Sequence, residues 1–431
     1  MAFFLLILIV GVIVIAVLNG FIAPLKIHFR TDPAALPIAP SKGDEQAQPF
    51  VGLALSGGGA RAAVFGAAGM KALHASGLLT PVTHVSSVSG GGFPASYFAL
   101  HPMPAEGTGD AYFEQMLDVI AHDYFWDTQM QQLRKPRRAF SPSRRLVSLQ
   151  DALERPDFLG TATFADLPQD RTFFFNSVSY DTAQRVPLSN GALPAPEDAN
   201  SASVLPKRLR SLTFSDAVNL RAAPSDFPVS LAVASSAAFP PYLGPNTIEV
   251  LQANGEAAQY WHLGDGGVFE NLGLETLREA VFAQGPNQNA TIYAFNAGMQ
   301  IDSQLSKNTL DISIWSRDVT RLVDVLSEYA TSHRESMFDA LDKTHGMNID
   351  VIEFNYMDIA RLVKSGNAPH PRWLSWEGWT HATAADRAQS ETPADHLAKI
   401  PTALKISAGH RELIAMAAED LVSLHFSSTS R

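Results

Sequence analysis

No cysteine occurs among the 431 residues, which removes disulfides, thiolate metal sites and lipoprotein-type acylation. Basic residues are also short: 32 Lys and Arg against 43 Asp and Glu leave a formal net charge of −11. Phosphate binding needs a basic footprint, so nucleic acid is excluded as the main partner. Acidic residues are missing locally, with none between Glu45 and Glu106. Charge of either sign is absent from Ala2 to Leu25, "AFFLLILIVGVIVIAVLNGFIAPL", where Asn19 is the one clearly polar residue.

That run would make a helix about 36 Å long, and a bilayer core of about 30 Å takes about 20 apolar residues. A cleaved signal peptide would carry a basic n-region and a shorter apolar stretch. Neither is present, and the all-round apolarity argues against a buried core helix. The expectation is a single-pass transmembrane anchor over residues 1–25. Lys26, His28 and Arg30 follow it and nothing basic precedes it, which places the bulk of the protein on the cytoplasmic side. Residues 26–49, with Pro33, Pro37, Pro40 and Pro49, read as an extended tether.

What remains is 46% hydrophobic overall, ample for a sizeable core. "FVGLAL" from Phe50 to Leu55 is a short apolar run that ends in glycines, as a buried parallel strand should. "ARAAVFGAAGMKALHASG" follows as a helix with Gly77 at its end. "PVTHVSSV" reads as a second strand and "GGFPASYFALH" as the helix after it. This alternation argues for an α/β layered sheet. Later strands are expected at 171–180, 227–236, 257–264 and 290–298. Segments 188–206 and 381–395 look like surface insertions, and from about residue 310 the pattern is largely helical.

The loop "SGGGARA" (56–62) joins the first strand to its helix. "GGGARA" formally fits a dinucleotide-binding turn, but the acidic residue about 20 positions on is missing. No Gly-Lys-Ser/Thr follows, so it is not a P-loop. An oxyanion hole remains: consecutive glycines expose bare backbone N–H groups at a helix start. A tight turn without a ligand is the competing reading.

"THVSSVSGGGFPAS" (83–96) settles which serine could be a nucleophile. A nucleophile elbow, G-x-S-x-G, needs small residues two before and two after the serine. Ser89 has Ser87 and Gly91 there. Ser87 would have Val85 and Ser86 would have His84, both too bulky. A Ser/Gly turn opening an ordinary helix is the plain alternative. For a base, "WHLGDGGVFENLG" (261–273) offers Asp265 at a strand end before Gly266 and Gly267, although Asp-Gly alone is usually a turn. His262, His84 and His74 are expected to be packed, hydrogen-bonded core residues.

"GGGAR", "SVSGG" and "DGG", in that order, resemble the patatin-like phospholipase family, whose hallmarks are a G-G-G-x-R/K loop, a G-x-S-x-G elbow and a D-G-G/A aspartate. "ARAAVFGAAGMKAL" and "ASSAAFPPYLGP" (234–245) are similar too. The resemblance covers roughly residues 50–300. Ser87 departs from it by standing where glycine is usual, and the N-terminal segment lies outside it.

The resemblance implies a three-layer α/β/α sandwich with a mostly parallel central sheet. It places the catalytic core at 50–300 and leaves 301–431 as a mainly helical extension packed on it. It further implies a Ser–Asp dyad, with Ser89 as nucleophile, Asp265 as base, and Gly57, Gly58 and Gly59 as oxyanion donors. Arg61 would meet an anionic headgroup or brace the loop. The substrate would be a lipid acyl ester at a membrane, with no metal or organic cofactor.

Two other readings stand beside this one. An α/β-hydrolase triad could pair Ser89 and Asp265 with His333 or His345. A membrane-tethered lipid-binding scaffold without turnover is the non-enzymatic option. "RKPRRAFSPSRR" (134–145) concentrates six basic residues and reads chiefly as a solvated loop, with anionic lipid as the functional alternative. The apolar stripe of 112–127 reads as core packing rather than a lid.

Overall fold

A computed structural model describes residues 2–21, 49–103, 109–135, 138, 142–191, 193, 205–206, 209–212, 226–240, 242–250, 259–298 and 316–428. All of the expected tether at 26–49 except Pro49, and most of the 188–206 segment, lie outside them. The first apolar run is helix α1 (Ala2–Phe21). Among the described side chains no helix is long and apolar enough to cross a membrane; those of α1 are described only over residues 4–14.

The sheet opens with β1 (Phe50–Leu55), followed by α2 (Gly59–Ala75), β2 (His84–Val88) and α3 (Gly92–Leu100). Helices α4 (Gly109–Ile120), α5 (Tyr124–Arg134) and α6 (Pro142–Leu153) precede the hairpin of β3 (Thr172–Ser179) and β4 (Gln184–Ser189). Then come α7 (Val229–Ser236), β5 (Asn246–Val250), β6 (Gln259–Asp265), α8 (Leu274–Phe282) and β7 (Asn289–Asn296). The remainder is α9 (Ser316–His345), β8 (Asn348–Asn355), α10 (Asp358–Lys364), α11 (Ala384–Gln389), α12 (Pro393–Leu397) and α13 (Ala408–Ser428).

Strand β1 sits centrally, parallel to β2 on one side and β7 on the other. Its alternating side chains show why both sheet faces are covered. Val51, Leu53 and Leu55 join the cluster built with α2, α3 and α13, whereas Phe50 and Ala54 join the one built with α8. A strand buried on both faces needs apolar residues throughout, which "FVGLAL" supplies.

The register of β3 positions the site. At Phe174–Asn176, β3 pairs with β2 and with β4 at once. At Ser177–Ser179 it pairs with β4 and with β6. Strands β2 and β6 therefore lie in line along the same edge of β3. Strand β2 is parallel to β3 and β6 antiparallel, so their C-terminal ends meet head-on. Val88 is opposite Asn176 and Asp265 is opposite Ser177, one residue or about 3.3 Å apart along β3.

One expectation needs correction, and two further segments hold structure that their composition did not signal. Residues 229–236 form helix α7, not a strand. A short, wholly buried apolar run looks the same in either form; here Pro228 sets the helix start, and Ala and Ser let the helix lie close to the sheet. The region after 310, read as largely helical, also holds β8, which pairs in parallel with β7 and extends the sheet. Segment 381–395 is no loose insertion: Thr383–Asp386 forms a capping box at α11 and Thr392 caps α12.

Helix α2 approaches the sheet through small residues, and a Cβ at Gly69 would overlap the Phe295 ring. Gly69→Ala should lower the unfolding free energy by about 1–3 kcal/mol, measurable by urea titration.

Candidate active site

Strand β2 ends at Val88 and the chain turns at once through Ser89–Gly91 into α3. Ser89 sits at φ +50°, a left-handed conformation that non-glycine residues rarely adopt. Such strain at a strand-to-helix turn lifts the hydroxyl out of the sheet. A Cβ at Gly90 would strike the Gly59 carbonyl, and one at Gly91 the Leu55 carbonyl. The elbow and the glycine loop interlock through bare backbone. Ser87 is fully buried, and its Oγ donates to the Phe174 carbonyl at 3.2 Å. It fills the small-residue position and is no rival nucleophile.

The Ser89 Oγ donates to Asp265 Oδ2 at 2.7 Å. The other carboxylate oxygen accepts the Gly267 N–H at 2.7 Å, which fixes the plane of the group. Asp265 is 2% exposed. Burial raises its pKa from 3.8 to about 6, and the bonds from Ser89 and Gly267 only partly oppose that rise. A base poised near 6 is ionised at neutral pH and more basic than an ordinary carboxylate.

Among the described residues no histidine bonds to either member. His333 is exposed on α9, and His345 lies edge-on to Phe282. His262 is not in the core as expected: it is half-buried beside Asp181, 3.1 Å from its carboxylate. His84 does stack on Phe50 at 4.2 Å and His74 does pack on Phe113.

Of the three loop glycines, Gly57 departs from the expected role. Its N–H donates to the Asn271 carbonyl at 2.8 Å. The N–H groups of Gly58 and Gly59 have no protein partner among the described residues. Both have positive φ, at +141° and +62°, which glycine tolerates and which turns the loop tightly over the start of α2. Arg61 is 2% exposed, so its guanidinium has no surface to offer a headgroup. It donates to the carbonyls of Ala297 (3.1 and 2.8 Å) and Ile400 (2.7 Å) and to Thr402 Oγ1 (3.1 Å). That is the geometry of a brace.

Several positioning residues carry no motif. The Ser89 N–H donates to Ser236 Oγ at 2.9 Å, and Ser236 Oγ donates to the Asn176 carbonyl at 2.6 Å. Asn176 Nδ2 reaches back to Ser86 Oγ and the Ser87 carbonyl, and its Oδ1 accepts from Thr276. The sole sequence signal for Ser236 is its place in "ASSAAFPPYLGP". In the basic run, Lys135 and Arg138 both pair with Asp151, at 3.0 and 2.6 Å, while Arg137 lies outside the described residues.

A family model for patatin-like phospholipases matches residues 53–278. The chain is similar to human GIVD cytosolic phospholipase A2, at 13% identity with a TM-score of 0.46, covering 92% of this chain and 64% of that one. The same human protein in complex with methyl gamma-linolenyl fluorophosphonate gives 14% identity, a TM-score of 0.43, and coverage of 89% and 58%. VipD from Legionella pneumophila gives 12%, 0.31, and coverage of 88% and 67%. The chain thus spans under two thirds of the human protein's length in each of these structures. No curated protein matches it significantly.

Between pH 3.8 and about 6 the folded state holds a proton on Asp265 that the unfolded state has released. Stability therefore falls as pH rises through that window. Asp265→Asn cannot ionise, so it should melt at a higher temperature than wild type at pH 7. The advantage should disappear below pH 3.8 in thermal scans.

Proposed function

The chain belongs to the patatin-like phospholipase family, and we propose that it is a membrane-anchored lipid acyl hydrolase of the phospholipase A or lysophospholipase type, working through a Ser89–Asp265 dyad. The observation that carries this reading is the 2.7 Å hydrogen bond from Ser89 Oγ to a buried carboxylate with a raised pKa.

Asp265 takes the Ser89 proton as Oγ attacks the ester carbonyl. Negative charge then develops on the carbonyl oxygen, where the Gly58 and Gly59 N–H groups and the start of α2 receive it. Collapse of the tetrahedral species expels the alcohol, which leaves with the proton from Asp265. Water then attacks the acyl-serine, with Asp265 again as base, and releases the fatty acid. No metal or organic cofactor enters any of these steps.

Anchoring rests on α1, whose 20 residues span about 30 Å and include Asn19 as the one clearly polar side chain. Lys26, His28 and Arg30 put the catalytic core on the cytoplasmic side. Exposed Phe125, Trp126 and Leu133 on α5 lead into the basic run, a combination suited to a lipid surface.

Ser89→Ala should abolish ester hydrolysis and labelling by a fluorophosphonate probe, and Asp265→Asn should cost about 10²–10⁴ in rate. Ser87→Ala and His262→Ala should stay within a few-fold of wild type. In wild type, kcat/KM should rise with pH through about 6 as Asp265 ionises. Near-normal turnover in Ser89→Ala would sink the assignment, and an unlabelled but folded wild type would favour the scaffold reading. Separately, deletion of residues 2–21 should move the expressed protein from the carbonate-washed membrane pellet to the supernatant. Retention in the pellet would refute the anchor.

A further inference from the structure

The chain that braces the glycine loop is itself held by a second polar cluster. Arg61 donates to Ile400 and Thr402, and the Ala60 N–H donates to the Ala403 carbonyl at 2.7 Å. On either side of that stretch stand His396, on α12, and His410, on α13. Both rings turn the same atom to one point. Their Nε2 atoms are 3.1 Å apart, and Asp386 Oδ1, from α11, lies 3.5 Å from one and 3.6 Å from the other.

Those separations are informative. An oxygen 3.5–3.6 Å from an imidazole nitrogen is too far for a good hydrogen bond. The three separations of 3.1, 3.5 and 3.6 Å lie around the spacing of ligands on one ion: zinc at about 2.0–2.1 Å from nitrogen and 2.0–2.2 Å from oxygen sets tetrahedral ligand atoms about 3.3–3.5 Å apart. Two imidazoles and a carboxylate also suit zinc's preference for nitrogen and oxygen donors.

The outer contacts are those of a built site. Asp386 Oδ2 accepts the Thr383 N–H at 2.8 Å and the Thr383 hydroxyl at 2.7 Å, so Oδ1 is the oxygen left facing the rings. His396 Nδ1 meets Ser390 Oγ at 3.2 Å, which orients the ring, and the edge of Trp376 packs against it. Such partners on the remote atom are usual for metal-bound histidine and carboxylate. His396 is 1% exposed, and burial lowers the pKa of both histidines, which favours the neutral, ligating form.

We propose that Asp386, His396 and His410 bind one zinc ion, with water as its fourth ligand, and that the ion ties α11, α12 and α13 together and so fixes the 400–403 stretch against the glycine loop. The absence of cysteine rules out thiolate zinc sites and leaves this imidazole–carboxylate type open. The ion acts on structure: none of its three ligands bonds to Ser89, Asp265 or the loop glycines. The proposal stands apart from the acyl-transfer reading, and its tests do not use turnover.

Full-length protein, purified without chelator, should carry about one zinc per chain by plasma mass spectrometry. Stripping with dipicolinate should lower the melting temperature by several degrees. Zinc chloride should restore it and magnesium chloride should not. His410→Gln and Asp386→Asn should keep the far-ultraviolet dichroism of wild type and lose both zinc and the melting shift. His410 is the less buried of the two histidines, so its variant remains informative if His396→Gln fails to fold. Stripped wild type that takes up no zinc at micromolar concentrations would overturn the proposal. So would His410→Gln that binds zinc and shifts as wild type does.

Discussion

The peptide between Asn176 and Ser177 in β3 is where β2 arrives from one direction and β6 from the other. That meeting puts Ser89, one residue past the end of β2, beside Asp265, the last residue of β6. No loop has to reach across the molecule to join the two groups. Asn176 secures the junction with every polar atom of its side chain, while its carbonyl holds Ser236 against the Ser89 amide. A one-residue slip of β6 would turn Asp265 to the opposite face of the sheet. The hydrogen-bond ladder is therefore as much a part of the Ser89–Asp265 contact as the two side chains.

Electrostatics at the site are defined by what is withheld. At Glu275 and Glu279 the protein buries carboxylates in the company of guanidinium groups. Glu275 lies 2.7 Å from Arg334 and 3.4 Å from Arg185, and Glu279 lies 3.2 Å from Arg185. Asp265 receives no such partner among the described residues, only a serine hydroxyl and a backbone amide. A paired aspartate would be more stable and a poorer base. Together with the left-handed backbone of Ser89, this unpaired carboxylate concentrates destabilising features at one place.

The parts of the site legible in the sequence were those governed by local sterics. Gly58, Gly59, Gly90 and Gly91 face positive φ or close backbone approach, requirements that one chain segment expresses by itself. The choice of Ser89 over Ser86 and Ser87 came from the same sterics, and the central strands came from unbroken apolar runs. Long-range pairings left no local trace. Ser236 and Asn176 are ordinary residues until the register of β3 gives them a task, and Gly57 loses its free amide only because Asn271 folds against it. Strand β8 was hidden by the helices around it. Residues 227–236 misled because burial on all sides erases the periodicity that separates helix from strand. Segment 381–395 has a loop-like composition, yet its threonines and aspartates are helix caps.

Arg61 meets Ile400 and Thr402 across sequence separations of 339 and 341 residues. During synthesis, which proceeds from the N-terminus, the elbow, the glycine loop and Asp265 all leave the ribosome well before the segment that braces the loop. A nascent chain thus holds Ser89 and Asp265 before its glycine loop has the contacts that fix it. Those contacts are complete only once residue 403 has emerged. The long-range brace thus makes the glycine loop one of the last parts of the site to become rigid.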